Sequence, residues 1–258
     1  MLKNFLILGT QRTGSNALVH LLNYHPDIAC GAEWTRRIPW HRKLRVTEQG
    51  LAGVFTELEP RRRAEMSRVY HEHKRWLGCK ILFRASDKWV GHPRLSPALW
   101  FDRLEAYLRW IAQRPDIHII HLTRSHAMEW LKSKYMAEVT VYMGRQYPDG
   151  MKVTIPVHQA VKRLYAKNWL DARLETLTKS NPYQHIFYED LLKSNYDVTL
   201  SVLHFLGCDT TKLPQNIKNG QPVKRQSKGD ATNYISNYEQ LIQELKKRSL
   251  LCSDQEGL

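Results

Sequence analysis

Phe5-Leu6-Ile7-Leu8-Gly9-Thr10-Gln11-Arg12-Thr13-Gly14-Ser15-Asn16 is the stretch whose reading decides the fold. Four consecutive apolar residues read as a strand buried on both faces. Gly9 to Gly14 then turn the chain tightly. Ser15 leads into a helix on which Leu18, Leu21 and Leu22 share one face, and Pro26 ends it. The two glycines have the spacing of a phosphate-cradling G-x-x-x-x-G-K-[ST] loop. Ser15-Asn16 stands where that loop carries Lys followed by Ser or Thr. The positive charge comes earlier, from Arg12. Backbone N–H groups at a helix N-terminus still favour an anion. The loop therefore suits a phosphate or sulfate, without the metal-binding features of a nucleoside triphosphatase.

Outward from this loop the same alternation continues. Arg61 to Trp76 reads as a charged helix, Cys79 to Phe83 as a strand, and Pro97 to Gln113 as an amphipathic helix with Pro115 just past its end. Ile117-His118-Ile119-Ile120-His121-Leu122-Thr123 predicts a buried strand. Ser125 to Met143 and Val157 to Thr178 predict helices. His185-Ile186-Phe187-Tyr188 predicts a strand, Asp190 to Leu206 a helix closed by Gly207, and Ser236 to Arg248 a last helix. Short strands alternating with longer helices predict an α/β fold with a central parallel sheet flanked by helices in three layers. No linker divides residues 1–258, so a single domain is expected. Residues 34–60 and 144–156 are irregular, and the Trp34 to Arg42 segment, rich in Trp and Arg, is expected to cover a ligand.

Composition narrows the function classes. The chain has 258 residues, 42% of them hydrophobic and 25% charged, which excludes a disordered tail or a fibre. No run approaches the roughly 18 apolar residues of a membrane helix. The apolar run near the N-terminus is too short for a signal-peptide core, so a soluble, cytoplasmic protein is expected. A formal charge of +14 points to an anionic partner and fits a multiply phosphorylated small molecule. Cys30, Cys79, Cys208 and Cys252 form no C-x-x-C pair, and His71-Glu72-His73 is the nearest thing to a histidine cluster. No metal site is expected.

Several segments, in order, resemble the sulfotransferases that use 3′-phosphoadenosine-5′-phosphosulfate (PAPS), a family with a P-loop-NTPase-like fold. Phe5 to Asn16 resembles the 5′-phosphosulfate loop, and its Gln-Arg-Thr-Gly-Ser-Asn form is most similar to the bacterial trehalose-sulfotransferase-like branch. Ile119 to Arg124, followed by Trp130-Leu131-Lys132-Ser133, resembles the 3′-phosphate segment. Ile186-Phe187-Tyr188-Glu189-Asp190-Leu191 resembles the Tyr-Glu-Asp-Leu strand, and Ser227-Lys228-Gly229 the late basic loop. Ser133 lies nine residues after Arg124, one more than in the animal cytosolic branch, and Lys224 and Arg225 compete with Lys228.

The resemblance implies PAPS as sulfuryl donor, released as adenosine 3′,5′-bisphosphate, with no metal. It implies Arg12 and the backbone of Thr13, Gly14, Ser15 and Asn16 at the phosphosulfate. Arg124 and Ser133 fall to the 3′-phosphate, Tyr188 to the adenine side, and Ser227, Lys228 and Gly229 to the closing loop. Arg12 and Arg124 are thereby expected at opposite phosphates. Glu33, between Ala32 and Trp34, is implied as general base, with His41 and His92 as weaker candidates. The acceptor is expected to be a hydroxyl, less readily an amine, of a small molecule, carbohydrate or glycolipid. No nucleic-acid partner or membrane span is expected, and a homodimer is compatible. The competing readings are a P-loop small-molecule kinase and a non-catalytic basic nucleic-acid-binding protein.

Overall fold

The computed structural model describes residues 3–33, 74–83, 105, 108–140, 147, 150–218 and 229–251, with backbone alone at Ala32, Glu33, Asn216 and Lys218. Five strands form one sheet: β1 (Lys3–Thr10), β2 (Ile28–Glu33), β3 (Trp76–Phe83), β4 (Ile117–Thr123) and β5 (Tyr183–Phe187). Their order is β2-β3-β1-β4-β5, and every pairing is parallel. The central strand β1 aligns Ile7 with Lys80 of β3 on one side and with Ile120 of β4 on the other.

The period-two pattern of β1 explains the layers. Leu6 and Leu8 face one core, shared with α2 (Ala127–Thr140), α3 (Val157–Leu177) and α8 (Tyr238–Lys247) through Trp130, Leu131, Leu164, Leu170, Leu241 and Leu245. Phe5 and Ile7 face the other, shared with α1 (Ser15–Leu22), α4 (Tyr188–Lys193) and α5 (Asn195–Leu206) through Leu18, Leu22, Leu191, Val202 and Leu206. Both faces of β1 are thus covered, as expected of a parallel sheet. Burying each of Phe5, Ile7 and Leu8 contributes about 1.5–3 kcal/mol. After α5 come a short 3-10 turn (Thr210–Lys212), α6 (Gln215–Lys218) and α7 (Ala231–Tyr234). Among the described residues no helix is long and apolar enough to cross a membrane.

Three local readings need correction, and one strand was not foreseen. Ile28–Glu33 is a strand, although Ala29, Gly31 and Ala32 give it none of the β-branched or aromatic pattern that marks strands in sequence. Tyr188 begins α4 and does not end β5; Glu189 and Asp190 favour the first turn of a helix at that point. The helix expected from Asp190 to Leu206 is two, because Ser194 is extended there and its side chain accepts the N–H of Asp197 to cap α5. Trp76, expected to close a helix, opens β3. Residues 61–73 and most of 97–107 lie outside the described residues.

Candidate active site

The carboxyl edge of the sheet gathers the loop after β1, the end of β2, Arg124 after β4 and Tyr188 after β5. This is where ligands bind in open parallel sheets. The loop is held by its own atoms: Thr13 Oγ1 donates to the Thr10 carbonyl at 2.9 Å. Arg12 and Gly14 both sit at positive φ, 71° and 81°. Gly14 caps α1 without any side-chain hydrogen bond, and no acidic residue stands in the first turn. The positive end of the helix is therefore left to the loop side.

Gly14 is required for a second reason. A Cβ there would lie 2.3 Å from the Tyr188 ring. Tyr188 in turn carries the Arg124 guanidinium over its face, 4.6 Å from the ring centroid. Loop, aromatic ring and arginine form one stack.

Arg124 is almost wholly buried. Its Nη2 donates to Glu129 Oε2 at 3.1 Å and its Nη1 to the Arg12 carbonyl at 3.5 Å. Its Nε has no hydrogen-bond partner and lies 4.0 Å from Glu189 Oε1. Burial pulls its pKa below the ordinary arginine value, opposed by Tyr188, Glu129 and Glu189. Glu189 spends both oxygens on the turn into α2, accepting the N–H groups of Ser125 and His126 at 3.1 Å each.

Arg12 reaches α2. Its Nε donates to Ser133 Oγ at 3.0 Å and its Nη2 to Tyr147 Oη at 3.2 Å. The guanidinium of Arg12 thus lies against Ser133, the residue expected with Arg124 at the 3′-phosphate.

Sequence reasoning missed four polar groups here. Lys80, in β3, is buried, and its Nζ donates to Asn16 Oδ1 at the start of α1. A lone lysine inside a strand covered on both faces was the available signal, because a buried ammonium needs a partner. Lys132 is 2% exposed; its Nζ donates to Glu129 Oε1 at 2.8 Å and to the Gly229 carbonyl at 2.9 Å. Burial lowers its pKa, and Glu129 opposes that shift. Glu129 and Tyr147 complete the set, and nothing in their sequence context singles them out.

Glu33 is the last residue of β2 and is paired in register with Lys80. Gly229 reaches the site through Lys132. Ser227, Lys228, Lys224, Arg225, His41, His92, Trp34, Trp40 and the His71-Glu72-His73 run lie outside the described residues. Among the described residues no group of His, Cys, Asp and Glu is arranged to hold a metal ion.

Residues 4–212 match the profile of the Sulfotransferase family, most of the chain and every element named above as far as the 3-10 turn. The chain belongs to the sulfotransferase family. As a sulfotransferase it transfers a sulfuryl group from PAPS to an acceptor hydroxyl. It is 25% identical over 244 residues to nodulation protein H of Rhizobium tropici, an alignment covering 92% of this chain and 87% of that protein. A solved sulfotransferase from Alicyclobacillus acidocaldarius is similar at 18% identity, with 83% of this chain and 84% of that one covered and a TM-score of 0.48. Sulfotransferase STF9 from Mycobacterium avium is similar at 12% identity, with 96% and 76% covered and a TM-score of 0.43. Membership decides against phosphoryl transfer and against a purely binding role.

Proposed function

We propose that this sulfotransferase binds its donor along the carboxyl edge of the sheet and transfers the sulfuryl group in line to a hydroxyl of a small-molecule or carbohydrate acceptor. The observation that carries this reading is the meeting of an uncapped helix N-terminus with the buried cations Lys80, Arg124 and Lys132. Buried cations in an apolar sheet edge need anions, and a donor with a 3′-phosphate and a 5′-phosphosulfate supplies them. The orphaned Nε of Arg124 and the uncapped α1 amides are donors of the kind these groups accept.

In this reading the loop is a P-loop variant in which Lys80 and Arg12 stand in for the missing loop lysine. The N–H groups of Thr13, Gly14, Ser15 and Asn16, with Lys80, face the phosphosulfate and stabilise charge on the departing phosphate oxygen. Arg124 and Ser133 hold the 3′-phosphate. Tyr188 flanks the nucleotide, and Gly229 with Ser227 and Lys228 closes over it. Glu33 takes the acceptor's proton as the oxygen–sulfur bond forms and the sulfur–oxygen bond to the phosphate breaks. The donor supplies an activated sulfuryl group with a stable bisphosphate as its leaving portion. The assignment to a trehalose-sulfotransferase-like branch rests on the loop sequence alone.

A thermal-shift comparison tests the donor assignment. Adenosine 3′,5′-bisphosphate without Mg²⁺ is expected to raise Tm; at 100 times its Kd the added stability is about 2.7 kcal/mol. Stabilisation by ATP-Mg²⁺ with none by the bisphosphate would overturn the assignment.

A further inference from the structure

Two buried cations, Arg124 in the loop before α2 and Lys132 within that helix, share one carboxylate. Glu129 Oε2 lies 3.1 Å from Arg124 Nη2 and 2.7 Å from Lys132 Nζ, and Oε1 lies 2.8 Å from the same Nζ. The three groups differ in exposure. The Arg124 and Lys132 side chains are 8% and 2% exposed, whereas Glu129 is 25% exposed. Of the three side chains, Glu129 is therefore the one most accessible to solvent.

The neighbouring carboxylate is built differently. Glu189 is fixed by two backbone N–H groups and stands 4.0 Å from Arg124 Nε. Glu129 makes no such bond among the described residues; its hydrogen-bond partners there are the two cations, and Tyr238 is the further titratable group near enough to feel its charge. The remaining surroundings of the cations include two carbonyls, Arg12 O beside Arg124 and Gly229 O beside Lys132, and two ring faces. Gly229 O accepts from Lys132, Tyr234 lies 5.3 Å from its ammonium, and Tyr188 stacks on Arg124. Asp230 is the other acidic group felt by Lys132, and Arg12 the other cation felt by Arg124. Removed from its carboxylate, this pair would be two like charges held out of water, a costly arrangement.

We propose that Glu129 is a resident counterion of the 3′-phosphate subsite: it neutralises Arg124 and Lys132 while the subsite is empty and gives them up to the incoming phosphate. This rests on the donor reading above and adds Lys132 as a second cation of the subsite. Glu129 thereby weakens the bisphosphate's hold, because each binding event must displace an internal anion. The same displacement eases departure of the bisphosphate product, which carries that phosphate. A ligand without a 3′-phosphate has no reason to displace Glu129.

The test is calorimetric titration of adenosine 3′,5′-bisphosphate and of adenosine 5′-monophosphate into the full chain. Glu129→Gln keeps the shape and removes the charge. It is expected to tighten the bisphosphate by about tenfold, a modest fraction of a full unit-charge interaction at this depth. The monophosphate should change by less than about threefold. Lys132→Gln, a second variant that does not depend on the first one folding, is expected to weaken the bisphosphate by about tenfold with the monophosphate again little changed. Weaker or unchanged bisphosphate binding in Glu129→Gln, or equal tightening of both nucleotides, overturns the counterion role. Unchanged bisphosphate binding in Lys132→Gln overturns the second cation. A wild-type protein that binds the monophosphate and not the bisphosphate overturns the donor reading itself, and this inference with it.

Discussion

Single side chains divide the work at the sheet edge by charge and burial. Lys80, Arg124 and Lys132 are buried and cationic, and each meets a polar partner supplied by the chain. Glu33 differs: it ends an edge strand, in register with Lys80, and is the base proposed above. Glu33→Gln preserves size and hydrogen-bonding reach but cannot take a proton. The expected outcome is a fall in kcat of about 10²–10⁴-fold with bisphosphate affinity near wild type. Steady-state kinetics paired with calorimetry reads both. A folded variant with near-normal turnover would move the base to another group. At this scale the sequence displayed the residues whose spacing is local: Arg12, Thr13, Gly14, Ser15 and Asn16 follow one another, and Arg124 and Ser133 lie on one strand-to-helix unit. Lys132 was hidden beside them, because a lysine in a helix ordinarily points to water and only the packing of α7 and the Gly229 carbonyl encloses it.

Secondary-structure elements matter here mainly through their ends. The start of α1, the start of α2 and the start of α4 converge, and Gly14, Glu189 and Tyr188 are the contacts between them. Gly14→Ala places a methyl group both at a left-handed backbone position and against the Tyr188 ring. It is expected to destabilise the fold by about 1–3 kcal/mol. Thermal denaturation should show a Tm several degrees lower, and bisphosphate affinity should fall in parallel because the Tyr188–Arg124 stack moves. An unchanged Tm would show that the ring has room to yield. The strands β1 and β4 were legible in sequence because both faces are buried and most of their residues are apolar; in β4 the buried His121 is matched by a hydrogen bond with Tyr183 Oη at 2.6 Å. The edge strand β2 was not: its small residues carry no periodic signal, and its pairing with β3 is a long-range event joining residue 28 to residue 76. The boundary at Tyr188 failed for a related reason: an aromatic residue has good strand propensity, and it is Glu189 and Asp190 after it that favour a helix start.

For the molecule as a whole, the surplus of 39 basic over 25 acidic residues supplies a long-range attraction for a polyanionic donor. The arrangement at the sheet edge turns that general attraction into a site, since the cations that count are the few withdrawn from water. Arg124 is the proposed anchor of the 3′-phosphate, and one titration addresses it. Adenosine 3′,5′-bisphosphate is titrated, without Mg²⁺, into the wild type and into Arg124→Gln, with thermal denaturation confirming that both are folded. Wild-type binding with affinity lower by about 10²-fold in the variant is predicted, as for truncation of a buried charged partner. Equal affinity in the two folded proteins would contradict it.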